Sequence, residues 1–198
     1  MLGKIIFWDN ALKRIVGSKK MGKPLKNENA SPIDFKILAS LQRAKVNFFA
    51  SVPCSLLAGI LREISDSTYV YSGIAHVPVT REEEGVALCA GADLGGARPC
   101  LLMQNSGLGN SINALLSLTG LYQIGLFLLI GFRGIAEDEK IDAQIPMGKA
   151  TLDLLGLVGA KYEVVKRPQQ LPVIEKLAGR TFKTPSIGAA LLLPELWN

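Results

Sequence analysis

CLLMQNSGLGNSINALLSLTGLYQIGLFLLIGF, residues 100–132, reads as a strand, a helix and a second strand in succession. Cys100 to Met103 is a short apolar run closed by a polar turn. Leu108 to Leu118 returns to apolar residues at helical spacing, and Leu126 to Phe132 is apolar almost throughout. A continuous apolar run bounded by turn residues is the pattern of a strand buried on both faces of a parallel sheet. From Ala114 to Phe132 the segment is also uncharged, and it approaches the ~20 residues a membrane-spanning helix needs. Gly120, Gln123 and Gly125 interrupt it. A helix followed by a core strand is therefore the expectation, with a membrane span as the alternative.

The same alternation continues on both sides. Upstream, Ser31-Pro32-Ile33-Asp34 carries a capping serine, a proline at the first helical position and an acid in the first turn. Val46 to Ala50 is expected as a strand, Ser55 to Ile64 as a helix, His76 to Val79 as a strand and Glu82 to Leu94 as a helix. Downstream, RGIAEDEKIDAQ is a polar loop before a helix near Met147 to Val158. A strand at Tyr162 to Val165, a helix at Gln169 to Ala178 and a strand at Ile187 to Leu193 complete the series. Strands alternating with helices imply right-handed crossovers between parallel strands. The expected fold class is α/β: a three-layer sandwich with a doubly wound, mostly parallel sheet. Ligands of such folds bind at the carboxyl ends of the strands.

Bulk properties fit one such domain over residues 31–198, preceded by a basic, flexible extension over residues 1–30, within which Met21 is a second candidate start. The net charge is +5, and it lies wholly before Ser31, where seven lysines and arginines face only Asp9 and Glu28. The remainder is balanced and shows no basic stripe, which argues against nucleic acid as a partner. Cys54, Cys89 and Cys100 form no C-x-x-C pair, and an odd number of cysteines suits a reducing cytoplasm better than a disulfide framework. No secretory signal opens the chain.

Three strand-to-helix junctions could carry chemistry: Ser51-Val-Pro-Cys-Ser55, Thr80-Arg-Glu-Glu-Glu-Gly85 and Met103-Gln-Asn-Ser-Gly-Leu-Gly-Asn110. In the second, Thr80 and Glu83 have capping-box spacing. Successive helical residues turn by about 100°, so only one of Glu82, Glu83 and Glu84 can face a given site; otherwise all three are helix-start acids in solvent. The third junction lacks the last glycine of a G-x-G-x-x-G pattern, since Ile112 stands there, and no P-loop occurs. It offers backbone N–H groups and the amides of Gln104, Asn105 and Asn110 to a small polar ligand, or is simply a tight turn. The single histidine, His76, rules out a multi-histidine metal site and reads as a hydrogen-bonded structural residue. Cys54 stands at a strand end, whereas Cys89 reads as packing. Arg133 follows the most apolar strand and could meet an anion or face solvent.

VPCSLL, PVTREEEGVALCAGADLGG, RPCLLMQNSGLGNSINALLSL, LIGFRG and IPMGKATLDLLGLVGAKYEVV together resemble the pyrimidine-binding domain of the sulfopyruvate decarboxylases, with the phosphonopyruvate decarboxylases as near neighbours. The similarity runs in order from about Ser31 to Leu193. It implies thiamine diphosphate as cofactor, and it selects Glu82, nine residues before the glycine of Cys89-Ala-Gly91, as the glutamate that bonds the cofactor's aminopyrimidine and sets its imino tautomer. Val52, Pro53, Gln104, Asn105 and Ser106 are the further cofactor positions so implied. Cys54, Ser55, Asn105 and Arg133 are implied at a small 2-oxoacid substrate. No metal ligand is expected in this chain. Such enzymes hold Mg2+ and the diphosphate with a G-D-G motif followed by asparagine. The sequence contains no G-D-G and leaves no room for that domain before Asn198. The resemblance therefore implies a cytoplasmic hetero-oligomer in which this alpha-type chain works with a beta subunit, turning 3-sulfopyruvate into sulfoacetaldehyde on the route to coenzyme M. A phosphonopyruvate decarboxylase subunit, or a non-catalytic assembly subunit, are the alternatives. Ser51 replaces an expected glycine before V-P, and Gly125 stands where proline is common.

Overall fold

The computed structural model describes residues 31–65, 73–136 and 139–198; the extension expected over residues 1–30 lies outside them. The first helix, α1 (Pro32–Arg43), opens as its sequence dictates. The Ser31 hydroxyl accepts from the N–H groups of Ile33 and Asp34, and the Asp34 carboxylate accepts from the Ser31 N–H at 2.9 Å. The other oxygen of Asp34 takes a hydrogen bond from the Trp197 indole at 2.9 Å, so one buried acid pins the cap to the end of the chain.

Six strands follow in the order of the expected runs: β1 (Phe48–Ser51), β2 (Ala75–Pro78), β3 (Pro99–Gln104), β4 (Leu126–Gly131), β5 (Lys161–Val165) and β6 (Ile187–Leu192). All pair in parallel, in the spatial order β2-β1-β3-β4-β6-β5. Connecting them are α2 (Ala58–Ser65), α3 (Glu82–Leu94), α4 (Gly107–Ala114), α5 (Ile145–Leu157) and α6 (Pro172–Lys183). Alternate strand residues point to opposite faces. Phe49, Leu102, Phe127 and Leu129 pack with α1, α2 and α6 on one side. Leu101, Met103, Leu128 and Ile130 pack with α3, α4 and α5 on the other. Every residue of β4 and β6 is buried, which is why those two runs are apolar throughout. The three-layer, doubly wound sandwich is the fold the alternation required.

The membrane alternative for Ala114 to Phe132 fails in a specific way. After α4 the backbone widens into a π-helical segment, Leu115–Gly120, with Thr119 and Ser117 hydroxyls returned to carbonyls four residues back. The chain then turns at Gln123, in a left-handed conformation, and enters β4. Among the described residues no helix is long and apolar enough to cross a membrane. Gly125 is explained here too. Its N–H donates to Asp93 at 3.1 Å, which proline could not do, and an added Cβ would press on Phe182 and Asp93.

Candidate active site

Strands β2, β1, β3 and β4 are neighbours, so the segments leaving their carboxyl ends converge on one edge of the sheet. The chain goes from β1 outward to β2, then crosses back to β3 on the other side. The crevice between β1 and β3 is thus the point where strand order reverses, the usual ligand position in an open parallel sheet. Val52 to Ser55 flank it from β1, and Gln104 to Asn110 from β3.

The three glutamates of α3 separate by what they touch. The helix begins one residue later than the Thr80–Glu83 pairing predicts. Arg81, in extended conformation, is the N-cap, so Glu84 occupies the third helical position. Glu84, and not Glu83, takes the Thr80 N–H at 3.0 Å and the Thr80 hydroxyl at 2.9 Å. These bonds hold its carboxyl below the ordinary range. Glu83 pairs with Arg81 through Oε1 at 3.0 Å, while its Oε2 is enclosed without a hydrogen-bond partner among the described residues. Glu82 reaches across to the turn after β3. Its Oε2 accepts from the Asn110 amide at 3.1 Å. Its side chain lies flat against Gly107, where any Cβ would overlap it. The amino ends of α3 and α4 thus meet at this half-buried carboxylate. Gly107 and Asn110 were not nominated from the sequence as partners of Glu82. Asn110 stands 28 residues from it in sequence, which hides the contact, although the glycine-rich turn after a strand is a visible signal.

Asn105 is placed centrally but inwardly. It is 1 % exposed. Its amide donates to the Arg133 carbonyl at 3.0 Å and to the Thr151 hydroxyl at 2.9 Å, and its oxygen accepts from the Arg133 N–H at 3.0 Å. Both side-chain N–H groups are spent, its backbone N–H donates to the Gly131 carbonyl at 3.0 Å, and its backbone carbonyl accepts from the Leu108 N–H at 3.1 Å, so Asn105 braces the turn and offers a ligand no free donor. Gln104 donates to the exposed Ser106 hydroxyl at 2.8 Å. Val52 is half-buried, while Pro53 and Ser55 are exposed at the mouth. Cys54 is buried beside Gly131, where an added Cβ would strike its sulfur. Burial pushes its thiol pKa up, partly offset by Leu57 and Leu56 N–H groups and the nearby Arg133 charge.

The Arg133 guanidinium is engaged in a fork with Glu139, through Nε at 3.2 Å and Nη2 at 3.0 Å. Glu139 also accepts from the N–H groups of Gly134 and Ile141. The Arg133 hydrogen bond, then that of Gly134, holds its carboxyl below the ordinary range. Glu139 therefore folds the loop after β4 and fixes where Arg133 stands. The polar loop showed acids at this point but not which one would pair. Glu82 and Asn110 lie at the β2–β3 side of the crevice, Cys54, Arg133 and Glu139 at the β1–β4 side. Two shallow concavities against α6 contain none of these residues.

His76 sits between two serines: its Nε2 is 2.8 Å from the Ser51 hydroxyl and its Nδ1 3.2 Å from that of Ser65. Ser65 gives its hydrogen to the Leu61 carbonyl, so Nδ1–H donates to Ser65 and Nε2 accepts from Ser51. The serine standing in place of glycine thus has a structural task. Burial lowers the pKa of His76 below its ordinary 6.5. The unfolded chain therefore binds more protons than the folded one as pH falls through and below about 6.5, and stability declines there. Denaturant titrations across this window should show that slope in the wild type and a flatter profile in His76→Asn. An unchanged profile would mean that His76 is protonated alike in both states.

No group of His, Cys, Asp and Glu side chains able to hold a metal occurs among the described residues. The three cysteines are free and buried.

A half-buried carboxylate at the crevice of a doubly wound parallel sheet defines the class by fold. The structure superposes on a 2-oxoglutarate:ferredoxin oxidoreductase of Magnetococcus marinus with a TM-score of 0.66 at 12% identity, over 93% of this chain and 34% of that one. It also superposes on an enzyme of Mycobacterium smegmatis described as thiamin diphosphate-dependent, with a TM-score of 0.64 at 16% identity, over 84% and 31%. The chain thus spans about a third of each and has the fold of one of their domains. No family model matches it. Sequence comparison is narrower. The chain is 43% identical over 169 residues to the sulfopyruvate decarboxylase subunit alpha of Methanococcus maripaludis, covering 85% of this chain and 96% of that protein. To the sulfopyruvate decarboxylase of Methanosarcina acetivorans it is 32% identical over 163 residues, 82% of this chain but only 40% of that longer one. A phosphonopyruvate decarboxylase of Streptomyces viridochromogenes is 36% identical over 130 residues, 65% of this chain and 32% of that protein. The chain belongs to the sulfopyruvate decarboxylase alpha-subunit family.

Proposed function

We propose that this chain is the aminopyrimidine-holding subunit of a two-chain, thiamine diphosphate-dependent decarboxylase that converts 3-sulfopyruvate to sulfoacetaldehyde and carbon dioxide, a step toward coenzyme M in the cytoplasm. The observation that carries this reading is Glu82, the acid of the three that meets Asn110 and Gly107 at the turn after β3. The residues present suit an aminopyrimidine. Asn110 holds one carboxylate oxygen, Oε1 has no hydrogen-bond partner among the described residues, and Gly107 leaves the floor flat. When bound, the cofactor supplies the nucleophilic carbon and the electron sink for loss of carbon dioxide.

What this chain's own residues do is hold and orient. Glu82 would keep a proton shared between Oε1 and a ring nitrogen, a charge-assisted bond that strengthens as the crevice is closed from water. Val52, Pro53, Gln104, Ser106 and the Asn105 backbone would border the ring. At the β1–β4 side, the donors Arg133 does not spend on Glu139, with Cys54 and Ser55, would meet the substrate's tetrahedral anion. Arg is suited to this because its planar fork can serve two oxyanions together. The diphosphate and Mg2+ belong to a beta subunit in this reading, since no G-D-G occurs in this chain.

Phosphonopyruvate is the second reading, supported by the Streptomyces relative and by the tetrahedral oxyanion that the two substrates share. Reconstituting this chain with the G-D-G-containing chain of the same genome, and assaying carbon dioxide release from both acids, decides between them. Preferential turnover of sulfopyruvate is the expected result; inertness toward both would remove the proposal.

A further inference from the structure

Arg133 is held at both ends. Its backbone N–H and carbonyl are bonded to the Asn105 side chain, and its guanidinium is forked onto Glu139. Glu139 is held as firmly. Its two oxygens accept from Arg133 Nε and Nη2 and from the Gly134 and Ile141 N–H groups, and its side chain is 4% exposed. The loop that carries the pair starts in close backbone contact with the beginning of α5. A Cβ on Gly134 would strike the Gln144 carbonyl, and one on Gly148 would strike Gly134. The ion pair is thus a fixed part of the β1–β4 side of the crevice, unlike a contact between two free surface side chains.

Its charge matters because no second cation shares the place. The segments leaving the carboxyl ends of β1, β3 and β4, residues 52–55, 104–110 and 132–136, contain one basic residue, Arg133. Arg81, before α3, is paired with Glu83. Cys54 is the other titratable group beside Arg133, and burial raises its thiol pKa, so it stays neutral. Arg133 and Glu139 together carry no net charge. Three of the five guanidinium N–H groups remain for a ligand. An anion they hold lies within about one Debye length, ~8 Å, of the Glu139 carboxylate, so salt does not remove the repulsion between them.

We propose that Glu139 selects the sulfonate over the phosphonate: by cancelling the charge of Arg133 it leaves donors that hold a singly charged tetrahedral anion and repel a doubly charged one. This rests on the functional reading above, in which Arg133 meets the substrate's tetrahedral group, and it names the residue that chooses between the two acids. Sulfonate and phosphonate share a shape and differ in charge. A sulfonate carries one negative charge throughout the working range. A phosphonate, like a phosphoryl group with its second pKa of about 6, approaches two near neutrality. Like charge placed against the wrong ligand is an effective way to reject one of two isosteres. An arginine without Glu139 would favour the dianion instead.

The test uses the pair reconstituted from this chain and the G-D-G-containing chain of the same genome. It reads kcat/KM for sulfopyruvate and phosphonopyruvate, and calorimetric Kd for the unreactive sulfoacetate and phosphonoacetate. Glu139→Gln keeps the side chain's length and removes its charge; the sulfonate-over-phosphonate ratio should fall roughly ten-fold or more in both readouts. Glu139→Asp keeps the charge and shortens the reach, and should keep the wild-type preference while weakening both ligands. A purely structural role predicts equal losses on both acids in either variant. Asp142→Asn, which takes one charge from the same loop and has no bond to Arg133 among the described residues, should leave the ratio unchanged. In the wild type the ratio should also fall as pH drops from about 8 to about 5.5, because the phosphonate regains a proton and the sulfonate does not. Enzyme titrations that act on both acids cancel in this ratio. If Glu139→Gln fails to fold, the wild-type profile and Glu139→Asp decide. An unchanged ratio in folded Glu139→Gln, a ratio flat with pH, or a wild type that prefers phosphonopyruvate overturns the inference, and turnover of either acid leaves the decarboxylase reading standing. Inertness toward both acids removes that reading, and the Kd ratio of the two acetates then judges Glu139 alone.

Discussion

Glu82→Gln should lower turnover of the reconstituted pair by about 10²–10⁴-fold, the range for groups that hold or move a proton in a reaction. The change keeps the side chain's length and volume, so it can still lie against Gly107, and its carbonyl oxygen can still accept from Asn110. What it loses is the second acceptor and the negative charge, which in the proposed reading together stabilise a proton on a ring nitrogen of the cofactor. The melting temperature should stay within a degree or two, because Asn110–Glu82 is a single hydrogen bond at the surface, where about 1 kcal/mol or less is at stake. The measurement is steady-state decarboxylation at saturating thiamine diphosphate, with thermal unfolding of the same samples. Full activity would show that this chain is scaffolding and that the proton is handled elsewhere. Glu83→Gln and Glu84→Gln are the internal controls, since their partners are Arg81 and Thr80.

Asn105→Leu should instead strike stability. Asn105 is enclosed and makes three side-chain hydrogen bonds that join the end of β3 to the exit of β4 and to α5. Leucine fills a similar volume but leaves the N–H and carbonyl of Arg133 unpaired, together with one bond to Thr151. Each enclosed polar group left unpaired costs about 1–3 kcal/mol, so a loss on the order of 3 kcal/mol is expected, near the upper part of the usual range for single substitutions. In a domain of this size that lowers the melting temperature on the order of 10 °C. The loop that places Arg133 would loosen as well, so KM for the anionic substrate should rise more than kcat falls. A variant that melts with the wild type would show that water replaces the amide at no cost.

Most of the architecture was legible in the sequence because it is written in burial. Leu126 to Phe132 and Ile187 to Leu193 are apolar because β4 and β6 are covered on both faces, and Ser31-Pro32-Ile33-Asp34 is a local cap that needs no tertiary information. The deviations arise where long-range contacts overrule local pattern. Thr80 and Glu83 have the right spacing, yet the chain leaving β2 stays extended through Arg81, and the cap moves on to Glu84. The helix expected through Leu118 widens into a π-helical segment after Ala114. At the site, spacing alone left three glutamates open. Family resemblance chose Glu82, and only the fold shows the contact with Asn110 and Gly107. Arg133 was legible as a cation after a strand, but its engagement by Glu139 depends on a loop that periodicity does not describe.

The two borders of the sheet bear on the life of this polypeptide before assembly. β2 is only 4 residues long and ends in Pro78, which has no hydrogen to offer a neighbour. β5, at the far border, sets the charged Lys161 and Glu163 in water. Short, proline-ended or charged margins discourage one sheet from adding to another. Neither margin therefore offers the sheet of a second copy an easy edge to extend.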